Sequence, residues 1–258
     1  MIKKKKGIIF GIANDHSIAW GIAKKLTENG AEIGITYQNE NLLKRVKPLA
    51  EKINNDFLIE CDFSKTESIK NSFKEIKKRF HNIDFVIHAA AFSDKNELNG
   101  KYFNTSKDNF INTLNISCFS FTEIAKYASE IMNDGGSLLT LSFYGSNKVM
   151  PNYNVMGVAK AALETSVKYL SVDLGDKNIR VNAISAGPMR TLAGAAIANS
   201  REVYNYAQKN SALNRNPELY EIGNTALFFV SELSKAVTGE IHYVDCGFNI
   251  LGMPKSDT

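Results

Sequence analysis

The run Gly7-Ile8-Ile9-Phe10-Gly11-Ile12-Ala13-Asn14-Asp15-His16-Ser17-Ile18-Ala19-Trp20-Gly21 decides how the rest of the chain is read. An apolar stretch held between two glycines is the pattern of a buried strand. From Ile18 to Asn29 the apolar residues recur with helical spacing, and Ser17 stands where a helix N-cap belongs. Strand, turn, helix is the opening unit of a βα alternation, and the alternation continues. Glu32–Tyr37 reads as strand, Glu40–Ile53 as helix, Phe57–Cys61 as strand, Ser68–Phe80 as helix and Phe85–His88 as strand. A long helix over Asn109–Met132 then leads to a strand at Leu138–Tyr144 and a helix at Asn152–Leu174. Arg180–Ile184 is a sixth strand, Leu219–Ser231 a helix and Ile241–Val244 a seventh strand.

Strands that alternate with helices pair in parallel, and right-handed crossovers place the helices on both faces. The expectation is an α/β fold: a doubly wound, Rossmann-like parallel sheet of about seven strands, forming a single domain over residues 1–258. Such sheets bind ligands beyond the carboxyl ends of their strands. A hydrophobic fraction of 44% and a charged fraction of 22% are ordinary for a chain that buries one large core. A net charge of +4 is too small to argue for nucleic acid. After Lys3-Lys4-Lys5-Lys6 the apolar run is too short for a signal peptide, and no run is long enough to span a membrane. Cys61, Cys118 and Cys246 are odd in number and lack metal-ligand spacing, so buried, reduced thiols in the cytoplasm and no metal are expected.

The strand ends carry the candidate residues. Gly11–Gly21 follows a strand and opens a helix, where backbone N–H groups and the helix dipole can hold a pyrophosphate. It is not a G-x-G-x-x-G fingerprint, because Ala13 stands in place of a glycine. Ser17 can cap the helix and donate to a phosphate oxygen. Gln38, at the second strand end, is neutral, and no cation follows until Lys44. Asp62 can accept from an adenine, or can equally be a turn residue, and Phe63 offers an apolar wall. His88 reads as a satisfied polar residue, and Asn112 and Asn115 as ties between helix and sheet. Thr191 can reach an amide or a phosphate, and the segment at about 190–214 reads as a mobile helical flap over the site.

Tyr153 and Lys160 lie seven residues apart, so two helical turns bring them to one face. A phenol can donate to an oxygen that gains charge, and a nearby ammonium favours that charge. The alternative is a half-buried tyrosine and a surface lysine on an amphipathic helix.

Taken together, Ser17-Ile18-Ala19-Trp20-Gly21, the Tyr153-x6-Lys160 pair within Asn152–Gly157, and Asn182-Ala183-Ile184-Ser185-Ala186-Gly187-Pro188 resemble the bacterial enoyl-acyl-carrier-protein reductases. These are divergent short-chain dehydrogenase/reductases, and the likeness runs from Gly7 to about Gly252, closing on Val244-Asp245-Cys246-Gly247-Phe248. Other members of that superfamily use Tyr-x3-Lys. Tyr144-x3-Lys148 has that spacing but precedes Pro151, before the helix that should carry the pair.

The resemblance implies NADH-dependent reduction of the trans-2 double bond of enoyl thioesters on acyl carrier protein, by a homotetramer of fatty-acid synthesis. It implies Tyr153 and Lys160 as catalytic, and Gly11, Ala13, Ser17, Ile18, Gln38, Asp62, Phe63, Ala90, Lys160, Met189 and Thr191 as cofactor-binding. Phe143, Tyr153, Met156 and Ile197 would line the acyl pocket. The family usually has isoleucine and glycine where this chain has Ala90 and Ala91, and tyrosine where it has Phe143. A reductase of another enoyl or carbonyl substrate and a catalytically silent nucleotide sensor are the alternatives.

Overall fold

Seven strands form one wholly parallel sheet in the computed structural model, which describes residues 2–195 and 197–255. They are β1 (Lys6–Phe10), β2 (Glu32–Tyr37), β3 (Leu58–Glu60), β4 (Ile83–His88), β5 (Met132–Ser142), β6 (Arg180–Ala186) and β7 (Ile241–Val244), in the order β3-β2-β1-β4-β5-β6-β7. Side chains alternate across this sheet, so Ile9 packs into one core and its neighbours Ile8 and Phe10 into the other. The first core lies under α1 (Ile18–Glu28), α2 (Glu40–Glu51) and α9 (Leu219–Val230). The second lies under α3 (Thr66–Phe80), α5 (Ser120–Ser129) and α6 (Asn154–Asp173). The expected doubly wound architecture is present. The chain reverses its winding between β1 and β4, so the crevice belongs between the segments that follow Phe10 and His88.

Three expected elements differ in ways that bear on the site. The helix expected over Asn109–Met132 is α4 (Lys107–Leu114), a π-helical turn (Asn115–Phe119) and α5, because one extra residue is looped into the ladder. That turn presents the Ser117 hydroxyl to both the N–H and the carbonyl of Phe92, pinning the loop after β4. Strand β5 stops at Ser142 rather than Tyr144: Phe143 is still extended, and Tyr144 begins a 3-10 turn. Helix α6 starts at Asn154 rather than Asn152, since Asn152 has a left-handed backbone (φ 57°). The region expected to be a flap holds α7 (Leu192–Ala195) and α8 (Ser200–Lys209), with residue 196 outside the described residues. All three cysteines are free thiols, but only Cys61 is buried; Cys118 and Cys246 are half-buried. No helix among the described residues is long and apolar enough to cross a membrane.

Candidate active site

A cavity of about 1150 Å³ opens at the carboxyl ends of the strands, running from the turn after β1 to helix α8. At its first end Gly11 has φ +96°, and a Cβ there would sit 2.3 Å from the carbonyl oxygen of Ala89. Only glycine lets the β1–α1 turn lie this close to the segment after β4. Ser17 occupies the N-cap position of α1 but does not cap it. Its hydroxyl instead accepts from the N–H groups of Ala13 and Asn14, each at 3.1 Å, and faces Asn14 Oδ1 at 3.2 Å. The expected capping is thus replaced by a fold-back that shapes the turn, and the Ile18 and Ala19 N–H groups have no partner among the described residues. Helix α1 has no acid in its first turn, and Ile18 and Ala19 line the cavity. An open, positive helix end facing a cavity suits a pyrophosphate.

The middle of the cavity is formed by β5 and α6. Tyr153 is the N-cap residue of α6, just before the helix expected to carry it, and it lines the cavity together with Met156 and Lys160 of α6. Lys160 is buried, and its Nζ donates to the carbonyl of Leu141 at 2.8 Å. Burial lowers the Lys160 pKa from 10.5 to about 8. Burial, with a contribution from Glu164, pushes the Tyr153 phenol well above its ordinary value, so it stays protonated. Its hydroxyl has no hydrogen-bond partner among the described residues. The Phe143 ring meets the Tyr153 ring edge-on at 5.1 Å, and a Cβ at Gly145 would strike the same ring at 2.5 Å. Tyr153 is therefore wedged in one orientation. At the far end Leu98, Met156, Phe143, Met150 and Ile197 form an apolar chamber around it, with Tyr204 of α8 across the opening.

A profile described as Enoyl-(Acyl carrier protein) reductase matches residues 11–249. The chain belongs to that family. Among curated relatives of this reductase family member, enoyl-acyl-carrier-protein reductase (NADH) 2 of Rhizobium meliloti is 58% identical over 98% of this chain and 95% of its own length. The corresponding NADH reductase of Rickettsia typhi is 53% identical over 99% and 98%. A crystal structure of FabI from Candidatus Liberibacter asiaticus superposes with a TM-score of 0.96 at 55% identity, covering 98% of each chain. The enoyl-acyl-carrier-protein reductase of Anaplasma phagocytophilum, solved in complex with NAD, gives 0.95 at 50% identity, covering 99% of this chain and 96% of its own.

In this enoyl reductase fold, twelve of the residues implied by resemblance line the one cavity: Gly11, Ala13, Ser17, Ile18, Ala90, Phe143, Tyr153, Met156, Lys160, Met189, Thr191 and Ile197. Gln38, Asp62 and Phe63 do not. Gln38 Nε2 donates to Asp62 Oδ1 at 3.3 Å, Ser64 donates to the same oxygen, and Lys65 pairs with Asp62 at 3.3 Å. These contacts hold the Asp62 carboxyl below its ordinary pKa against the opposing effect of burial. They form a polar ledge beyond the ends of β2 and β3, and Phe63 packs inward against Phe10 and His88. Asp62 is thus also the turn residue it was weighed as.

His88 is buried between Thr140 Oγ1 (2.8 Å) and Ser120 Oγ (2.9 Å), and burial drives its pKa down to about 3. It is a neutral core histidine, as expected. Among the described residues Asn112 and Asn115 show no side-chain bond that ties helix to sheet, and it is Asn109 that binds Ser93, Asp94 and Glu97 in the loop after β4. Thr191 Oγ1 accepts from the Gly194 N–H at 2.9 Å, so it caps α7 and keeps its proton for a ligand. Leu98 and Met150, in segments without periodic pattern, were not foreseen, and neither was Tyr204, which lies on α8 within the span expected as the flap. Tyr144 is turned away: its hydroxyl donates to the carbonyl of Asn249 and its ring packs on Tyr243 and Phe248.

Proposed function

We propose that this chain is an NADH-dependent reductase of the trans-2 double bond of enoyl thioesters carried on acyl carrier protein, acting in the cytoplasm as a homotetramer in type II fatty-acid synthesis. The observation that carries the reading is the Tyr153 hydroxyl. It belongs to a phenol with no hydrogen-bond partner among the described residues, wedged by Phe143 and Gly145 in the cavity that runs from an open helix end to an apolar chamber. Ile18, Ala19, Met189 and Thr191 all line the cavity, which supports this reading: the Ile18 and Ala19 N–H groups would hold the cofactor's pyrophosphate, and Met189 and Thr191 would meet its nicotinamide half. Bound NADH would supply a hydride to the β-carbon of the enoyl group.

The residues of the chain supply the rest. Reduction at the β-carbon moves charge onto the thioester oxygen, and Tyr153 donates a hydrogen bond to that oxygen. Lys160, held by Leu141, would give its remaining protons to the cofactor ribose and add positive field beside the developing anion. Met156, Ile197 and Leu98 exclude water from the acyl chain. Near the mouth Arg190 stacks on the Tyr204 ring at 4.7 Å, and Arg215 is already paired with Glu221 at 2.6 Å. Arg190 and Arg201 are therefore the better candidates to meet an acidic carrier protein.

At the ledge Gln38 is neutral and bonded to Asp62, the nearest cation, Lys65, is paired with Asp62, and Gln38-Asn39-Glu40 holds no cation for a 2′-phosphate, which favours NADH over NADPH. The test is cofactor oxidation on an enoyl-CoA surrogate, alongside a ketoacyl-CoA. Turnover with NADH and the enoyl thioester alone is expected. Turnover on the ketone, or equal kcat/KM with NADPH, would contradict the reading.

A further inference from the structure

Behind the active site, one helical turn beyond Lys160, a buried carboxylate takes no part in the chemistry just described. Glu164 lies on the same side of α6 as Lys160, and its side chain turns toward the end of β5. Ser142 Oγ donates to its Oε1, and so does Ser146 Oγ at 2.6 Å. Asn147 Nδ2 donates to its Oε2 at 3.4 Å and also to Tyr243 Oη at 2.9 Å. Ser142, Ser146 and Asn147 bracket the turn that carries Phe143 and Gly145 onto the Tyr153 ring. A carboxylate shielded from water is a strong acceptor, and three donors spread over six residues leave that turn little freedom. The same bond occupies the Ser142 hydroxyl, which lines the cavity and would otherwise be a rival donor to substrate.

We infer that Glu164 is a positioning residue for this reduction: its buried carboxylate pins the β5–α6 turn against Tyr153 and supplies the counter-charge for Lys160. The inference rests on the enoyl-reductase reading above. The titratable groups acting on Lys160 are His88 on β4, Cys118 in the π-helical turn and Glu164 on its own helix. His88 is neutral, and burial pushes the Cys118 thiol up, so it too is uncharged near neutrality. Cys118 and then Glu164 raise the Lys160 pKa against the larger, opposing effect of burial, and Glu164, one helical turn along α6, is the one carboxylate of the set.

Two variants separate the parts of this role. Glu164→Gln keeps the shape and removes the charge, and Glu164→Asp keeps the charge and shortens the reach by one methylene. The readouts are kcat, the pH profile of kcat/KM for NADH on enoyl-CoA, and the pH dependence of NADH binding followed by fluorescence. For Glu164→Gln the alkaline limb should move down by about one pH unit, the size of an opposite charge removed at helical-turn distance. For Glu164→Asp the limb should stay in place while kcat falls about tenfold, because the turn loosens.

A merely structural glutamate would lower stability in both variants without moving the limb. Wild-type limbs in Glu164→Gln, or a wild-type kcat in Glu164→Asp, would overturn the inference, and the second result stands even if Glu164→Gln does not fold. A wild-type protein that leaves the enoyl thioester unreduced would contradict the proposed function instead, and the limb of NADH binding would still judge Glu164.

Discussion

Tyr153 at the N-cap of α6 and Lys160 within it are both buried and line the same cavity, yet burial moves their protons in opposite directions. The phenol holds its proton more tightly and the ammonium releases its proton more easily, because each is driven toward its uncharged form. Tyr153→Phe removes the proposed donor to the thioester oxygen without changing shape, and kcat should fall by about 10²–10³ with little change in stability. Lys160 sets the alkaline limit. With a folded pKa of about 8, kcat/KM for NADH should decline as pH rises through that value. The stability effect has the other sign. Below about 8 both folded and unfolded chains hold the proton, and the cost of burying it is borne in full. Between about 8 and 10.5 the folded chain binds fewer protons than the unfolded one, so this group's contribution to stability rises with pH as binding falls. A thermal-shift series across that window checks the sign. Phe143 and Tyr144 give a third prediction. Phe143→Tyr points a hydroxyl into the cavity and should be tolerated. Tyr144→Phe removes only the bond to the Asn249 carbonyl and should leave kcat/KM within about threefold, well under the 1.4 kcal/mol of a tenfold loss.

At the scale of elements, the turn between β1 and α1 has the least tolerance. Its approach to the Ala89 carbonyl leaves no room for a methyl group, and φ +96° is a conformation that alanine resists. Gly11→Ala should weaken NADH binding more than tenfold and lower Tm by several degrees. Unchanged NADH binding by fluorescence titration would show that this turn does not hold the cofactor. The element pattern was legible because strand and helix periods differ, so β1, β2, α1 and α9 fall within a residue or two of where the sequence puts them. The exceptions have local causes. The π-helical turn at Asn115–Phe119 inserts one residue without changing the apolar pattern, and nothing in the sequence marks it. The start of α6 was missed because Asn152 carries both a cap-like side chain and a left-handed backbone. That backbone turns its amide outward to the Ala198 carbonyl at 3.0 Å, tying the entry of α6 to the segment before α8.

On the scale of the whole molecule, the sheet order gathers strand ends that are far apart in sequence into one crevice at its switch point. That is why twelve residues implied by the family resemblance meet in one cavity. The motifs could not give the contacts that depend on tertiary geometry. Leu98 is buried although its neighbours Asn99 and Gly100 are exposed, and Glu164 reads as an ordinary helix-surface glutamate until its three donors are seen. Gln38 and Asp62 show the reverse, since they are satisfied by each other at a ledge outside the cavity. The central claim is that this geometry delivers a hydride to the β-carbon of an enoyl thioester while Tyr153 serves the thioester oxygen. The most direct test supplies the wild-type protein with a trans-2-enoyl thioester and NADH deuterated at C4 of the nicotinamide, and reads the product by mass spectrometry. The account predicts a saturated thioester with deuterium at C3 and none at C2. Deuterium at C1 in an alcohol or aldehyde, or at C2 of the acyl chain, would contradict it.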